Sequence, residues 1–331
     1  MALFAVLMCV NFASCSNDDG IGPNEPNEPQ KPKEYTVSLG FTGEISISES
    51  PLSRASENNL YGIQVYSCPN VDGSTTYTKY AYGLFDDISK MTIKLLEGYK
   101  YKFVATMVVD GKNKISHITD NVYLDPFEVV IYNGGGYTRK YIDITNNFKI
   151  TNYEYFDGLG NGTTGSQTGH ASGFERYYGE CEYIINESKS VSIDMKRVYF
   201  GAKFITDGLT EGNLRIQMNR TKEILITHPE TSYENIFTFD KLSLAYSTNN
   251  YSEEIRTEIY WTKNDGVVVP LGTHNITFKR NILTTITIKV ADITTENGIG
   301  ITLENKEMDT ENITIENGEI VDTNVNTGTE E

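Results

Sequence analysis

In 331 residues the chain carries only four cysteines, four histidines and one tryptophan, and its 28 basic residues are outnumbered by 45 acidic ones. Each shortage excludes something. A formal charge of −17 argues against nucleic acid as a partner and against an electrostatic hold on anionic lipid, since both need clustered Lys and Arg. His117, His170, His228 and His274 stand singly, without a His-x-x-x-His pair or a nearby cysteine pair, so no metal site and no cofactor are expected. There is no Gly-x-Ser-x-Gly elbow and no Ser, His and Asp arrangement that stands out, so no catalytic residue is assigned and the chain does not read as an enzyme. Asp86-Asp87 and Glu253-Glu254 cannot flank one bond if they lie on strands, because neighbours there point to opposite faces; solvated turns are the expectation for both. The glycine-rich run from Gly158 to Gly165 lacks the Lys and the helix start of a phosphate cradle, and reads as a long loop.

No apolar run is long enough to span a bilayer, but a short one from Leu3 to Val10 leads into Phe12-Ala13-Ser14-Cys15, and the chain then turns abruptly polar. This is the pattern of a bacterial lipoprotein signal over residues 1–14, with cleavage before Cys15 and acyl chains on its thiol. No Lys or Arg precedes Cys15, and a start a few residues upstream would supply the missing positive charge. The alternative is a cleaved secretory leader with Cys15 an ordinary cysteine. Each buried CH₂ contributes about 0.8 kcal/mol, so a multiply acylated Cys15 would be a durable tether to the outer membrane, with the rest of the chain exposed at the surface.

Over residues 15–33, Pro23, Pro26, Pro29 and Pro32 recur at every third position, the turn of polyproline II. At about 3.1 Å per residue this tether reaches some 50 Å from the membrane. From Tyr35 the period of apolar residues is two. Val37, Leu39 and Phe41 share one face, as do Tyr101, Phe103, Ala105 and Met107, and the pattern returns at Leu214-Ile216-Met218, Ile255 to Trp261 and Ile282 to Val290. No segment offers an amphipathic helix of ordinary length. Many short strands between turn signals indicate an all-β chain built of sandwiches, divided here into residues 34–188 and 189–331, the second ending in a polar tail. The apolar parity flips between Met195 and Val198, and a bulge at Lys196-Arg197 would reconcile the two halves.

Once Cys9 leaves with the signal and Cys15 is acylated, Cys68 and Cys181 remain. In an oxidising compartment they either pair, closing a loop that contributes roughly 4 to 5 kcal/mol in the chain-entropy model, or stay two buried thiols. Tyrosine is frequent, with 22 copies, and it clusters at Tyr77, Tyr80 and Tyr82 and at Tyr177-Tyr178. Such residues fill cores and suit strands; exposed, they stack on sugars, which makes a surface glycan-binding lipoprotein the alternative function.

Three segments together resemble the fimbrillin family, the lipoprotein precursors of type V pilins of Bacteroidetes and their surface relatives. The first is Thr36-Val37-Ser38-Leu39, running out to Pro51-Leu52-Ser53-Arg54-Ala55 and followed by Leu60 to Tyr66. The second is Met195-Lys196-Arg197-Val198-Tyr199-Phe200-Gly201-Ala202-Lys203-Phe204, and the third is Phe278-Lys279-Arg280-Asn281-Ile282-Leu283-Thr284-Thr285-Ile286-Thr287-Ile288. The resemblance implies two consecutive transthyretin-like β-sandwich domains and a non-enzymatic, lipid-anchored role in a fimbrium or in cell adhesion, with other fimbrillin-like subunits, or a host or glycan receptor, as partners. In polymerising members a protease cuts after an arginine beyond the first strand, whose removal opens a groove for a neighbour's strand; Arg54 matches that position or is an exposed loop arginine. The C-terminal segment departs from a pilin's donor strand, since Ile313, Ile315, Ile320 and Val321 are its only regular apolar residues. An accessory or tip subunit fits better than a shaft subunit.

Overall fold

The computed structural model describes residues 32–44, 58–119, 122–156, 159, 173–185, 189–219, 221–290, 301–308, 314–316 and 319–321. Cys15, the tether up to Lys31, Arg54, nearly all of the glycine-rich loop and the polar tail lie outside them. The fold is all-β, and the periodicity of two accounts for it: where apolar residues alternate with polar ones, a pleated strand buries one face and solvates the other.

The first half begins with β1 (Glu34–Gly43), β2 (Leu60–Pro69), β3 (Thr78–Phe85), β4 (Thr92–Leu96) and β5 (Tyr99–Val108). A single helical turn, α1 (Gly111–Lys114), leads to the short strands β6 (His117–Thr119), β7 (Val122–Tyr123), β8 (Val129–Tyr132), β9 (Tyr137–Lys140), β10 (Ile142–Asp143), β11 (Lys149–Ile150) and β12 (Glu154–Phe156). The long strands β13 (Arg176–Ile184) and β14 (Ser190–Arg197) follow. One eight-stranded sheet runs in the order β11-β3-β2-β5-β13-β14-β1-β4. Because β13 and β14 pair only at Tyr177↔Arg197 and Tyr178↔Lys196, the sheet folds over at that seam into two layers. Between the layers lies one core: Val37, Leu39 and Phe41 from β1, Tyr61, Ile63 and Val65 from β2, Tyr101, Phe103, Ala105 and Met107 from β5, and Val191, Ile193 and Met195 from β14.

The second half comprises β15 (Tyr199–Asp207), β16 (Asn213–Met218), β17 (Ile224–Thr227), β18 (Ser232–Thr238), the short helix α2 (Leu242–Ser247), β19 (Ser252–Thr262), β20 (Val268–Lys279), β21 (Ile282–Lys289) and β22 (Ile301–Glu307). They form two four-stranded sheets, β18-β15-β21-β22 and β17-β16-β19-β20. Phe200, Phe204, Leu214, Ile216, Ile259, Phe278 and Ile286 fill the space between them, and Phe200 packs on Phe237, Phe239 and Phe278 with ring centroids 4.6–5.7 Å apart. This cluster continues onto the outer face of the first sheet through residues such as Tyr178, which meets Tyr246 edge to face at 5.7 Å.

Three details differ from the sequence reading. The parity flip has no bulge behind it. The strand ends at Arg197, Val198 is unpaired in either ladder, and β15 begins in a different sheet, so the two halves of the pattern face different cores. For the same reason Ser190–Arg197, placed by the sequence reading beyond a division at Ser188, hydrogen-bonds with β1 and β13 in the first sheet. Glu253-Glu254 lies within β19 rather than in a turn, paired opposite Phe278 and Thr277.

Candidate functional site

The residues of β1 explain how it is held. It runs antiparallel to β4 over Glu34–Ser38 and parallel to β14 over Ser38–Gly43, one edge being paired in each half, and Val37 and Leu39 are buried between the layers while Phe41 stacks on Tyr61 at 5.6 Å. Hydrogen bonds from Leu39 N to Met91 O (2.9 Å) and from Glu44 N to Met195 O (2.7 Å) hold the strand beyond its ladders. Gly43 makes the last of these contacts geometrically available. Its φ is +97°, and a Cβ there would lie 2.4 Å from Asp194 Oδ1 and 2.5 Å from Met195 O, so only glycine lets the chain turn this close to β14.

That turn delivers Glu44 into a node shared by both halves of the chain. Its carboxylate accepts from Arg280 Nη1 at 2.9 Å and 2.8 Å, from the backbone N–H of Arg197 at 3.0 Å and from Asn281 Nδ2 at 3.4 Å. Arg280 Nη1 also donates to the Arg197 carbonyl at 3.3 Å. Arg280 and Asn281 sit at the corner where β20 leaves one sheet and β21 enters the other. Asn281 has a φ of +61°, a conformation that asparagine tolerates better than most side chains, and its N–H donates to Tyr199 O at 3.2 Å. Among the described residues, Arg280 Nε and Asn281 Oδ1 meet no hydrogen-bond partner.

Behind the node stands an aromatic and cationic layer. Arg197 Nε donates to the Tyr177 hydroxyl at 3.1 Å, and its guanidinium lies 5.9 Å and 6.0 Å from the Tyr177 and Tyr199 ring centroids. Burial works against the Arg197 charge, but the Tyr177 hydroxyl and the neighbouring Tyr199 and Glu175 outweigh it and raise its pKa. Arg176, fully buried, is pulled down to about 10 by desolvation, which Asp125 and Tyr178 only partly oppose, and its Nε donates to Thr106 Oγ1 at 2.9 Å. At the break in the strand, Val198 N donates to Arg176 O and Val198 O accepts from Phe239 N, both at 3.0 Å, so both its polar groups are satisfied across the junction.

The arrangement can hold a strand and join two sets of sheets. Among the described residues no group of three or more His, Cys, Asp or Glu could hold a metal ion. Of the residues singled out from sequence, Arg197, Arg280 and Asn281 come together, whereas Cys15 and Arg54 lie outside the described residues. Cys68 and Cys181 are both free thiols. Of the two alternatives for these cysteines the sheet fits separate thiols: Cys68 pairs with Lys100 and Cys181 with Phe103 on opposite sides of β5, so the two stand two strands apart and on opposite faces, beyond the roughly 7 Å limit between Cα atoms. Burial, with Glu180 beside it, pushes the Cys181 thiol up to about 12. The tyrosine clusters are mostly interior: Tyr82, Tyr177 and Tyr178 are buried, and Tyr80 packs edge to face on Tyr101 at 5.3 Å. Glu44 was not singled out from sequence; its only signal there was its place directly after a strand and a glycine.

No protein-family model matches the chain, and no curated protein matches it in sequence. Among solved structures it is similar to the fimbrial anchor protein Mfa2 from Porphyromonas gingivalis, at 11% identity over 87% of this chain and 98% of that one, with a TM-score of 0.37. It is similar also to the tip fimbrial protein Mfa3 from Porphyromonas gingivalis with C-terminal truncation, at 11% identity over 82% and 100% of the two chains and a TM-score of 0.30. A fimbrial assembly protein from Parabacteroides distasonis shares 10% identity over 84% and 99%, with a TM-score of 0.33. Likenesses at these scores decide neither the fold nor the role.

Proposed function

We propose that the chain is a non-enzymatic, lipid-anchored surface protein of fimbrillin type that keeps its own first strand and serves as an accessory, tip or adhesive subunit. The observation that carries this reading is the convergence of the three segments on which the family resemblance rests. Glu44 lies within the stretch that the first opens, Arg197 in the second and Arg280-Asn281 in the third, and they meet at 2.8–3.4 Å. Strand β1 is paired along its whole length, with β4 in its first half and β14 in its second, its apolar face is buried, and its end is tied by charge to the second half of the chain. A strand so held stays in its own sheet, in keeping with the weak donor character of the C-terminal segment. The same reading divides the chain into two β-sandwich domains with the boundary at Val198, where it leaves one sheet for the next. It takes Cys15 as the acylated residue and the outer membrane as the surface from which the chain is displayed.

Two measurements test it. Labelled palmitate should follow the wild-type protein on a gel and be lost in Cys15→Ala; an unlabelled, soluble wild type defeats the anchor. Treatment of the purified full chain with an arginine-specific protease should give no ladder of oligomers, and laddering after a cut at Arg54 would make it a shaft pilin instead.

A further inference from the structure

Exposed tyrosines form a row that neither the core nor the node uses. In the three-stranded sheet β12-β8-β9, Tyr132 pairs with Tyr137, and its N–H donates to Tyr153 O at 3.1 Å, one residue beyond the ladder that joins Glu154 to Ile131. Residues directly opposite across antiparallel strands project from the same face, so Tyr137, Tyr132 and Tyr153 stand in line across three strands. They are 69%, 47% and 64% exposed, and the Tyr132 and Tyr137 ring centroids are 5.4 Å apart. Two residues along on the same face, Arg139 pairs with Glu128 at 3.2 Å. The row is flanked by the turn of Gly134, Gly135 and Gly136 that joins Tyr132 to Tyr137, where an added Cβ would meet nothing within 4 Å among the described residues.

We infer that this row is a binding platform for a neutral oligosaccharide. Strand spacing of about 4.8 Å sets the rings at roughly the width of one pyranose, and three strands give about 10 Å, room for two consecutive sugar rings. The C–H face of a pyranose is apolar and stacks on an aromatic ring, while its rim of hydroxyls needs a donor and an acceptor side by side. Arg139, 42% exposed, and the tyrosine hydroxyls supply these, and Glu128, 13% exposed and paired with Arg139, cancels its charge, which in a chain of formal charge −17 favours a neutral sugar over an acidic one. Three rings in a row offer a few hundred Å² at most, below the roughly 800 Å² that each partner contributes to a stable protein interface. The platform goes beyond the proposed anchoring role and needs neither the lipid nor β1, being built entirely from residues 128–155.

The test is saturation-transfer NMR with titration calorimetry on the full chain, using maltotriose, cellotriose, mannotriose and triacetylchitotriose, with 3′-sialyllactose as the charged comparison. At least one neutral trisaccharide should bind with a Kd at or below about 1 mM. Tyr132→Ala should weaken it about tenfold, and Tyr132→Phe by less than about threefold, since stacking uses the ring face. An unmoved unfolding transition in both variants shows that the loss is not one of folding. Binding by none of the four, binding unchanged in a Tyr132→Ala, Tyr137→Ala, Tyr153→Ala triple variant, or preference for the sialylated sugar would overturn the inference. So would self-association of the wild type that the triple variant loses, which would make the row a protein contact. None of these outcomes touches palmitate labelling or protease laddering, so the two readings fail separately.

Discussion

Replacing Glu44 by alanine removes the acceptor of four hydrogen bonds at once, two of them from the Arg280 guanidinium. At 2.8 Å the pair's attraction is about 6 kcal/mol gross with an effective dielectric of about 20, and desolvation takes back most of that. Hydrogen bonds to a charged partner contribute about 1.5–3 kcal/mol each in mutational series. Because the Arg280 and Glu44 side chains keep only 12% and 17% of their surface in water, the orphaned guanidinium is poorly resolvated, and the net cost of Glu44→Ala should be about 2–3 kcal/mol. The single tryptophan makes the effect readable at a distance. Trp261 lies in β19, in the half of the chain opposite to Glu44, with its Nε1 donating to Glu211 O at 3.0 Å. Urea unfolding followed by Trp261 fluorescence should therefore shift on a substitution made at the end of β1, and a double-mutant cycle with Arg280→Ala should return a coupling of about 1–2 kcal/mol. A Trp261 transition that stays within about 0.5 kcal/mol of wild type would refute the claim that the node joins the halves energetically.

Two further outcomes follow from the same geometry. Oxidation of the folded protein should leave Cys68 and Cys181 unbridged, the buried Cys68 alkylated only after unfolding and both recovered as free thiols by mass spectrometry; a peptide linking the two would contradict the strand order around β5. The second concerns acid. Burial disfavours the Glu154 charge, yet Lys149 at 2.7 Å, the Tyr82 hydroxyl and Lys140 outweigh it and hold the carboxyl at about 2. A carboxyl depressed from about 4.3 in the unfolded chain contributes stability that is complete above that pH and lost as pH falls toward 2. With both lysines substantially in solvent, the contribution is about 1 kcal/mol, and Glu154→Gln should remove that part of the decline between pH 4.5 and 2; an unchanged acid limb would count against it.

The local parts of the structure were legible before any coordinates, because they depend only on neighbours in sequence. Alternation at Val37 to Phe41, Tyr101 to Met107 and Ile282 to Val290 specifies strands with one buried face, and the structure places those faces in the two cores. The parity flip at Lys196-Arg197 was visible too, but its cause was not: a bulge within one strand and a crossing between two sheets leave the same trace in a list of residues. Likewise two cysteines look like partners until strand order and face separate them. The clustered tyrosines are mostly interior, while Tyr132, Tyr137 and Tyr153 share a row only because β8 lies between β9 and the residue that leads into β12.

By itself, then, the amino-acid sequence determined the class of structure, the spacing of its turns and the segments that carry the family resemblance. Those are properties of a pleated chain with a period of two, and each is decided within about ten residues. Only the tertiary structure decided that Glu44, Arg197, Arg280 and Asn281 form one node, because the residues meeting there are as much as 237 positions apart. Contacts of that separation depend on the order in which strands pair, and a single strand's alternation, which says only which side faces inward, carries no record of it.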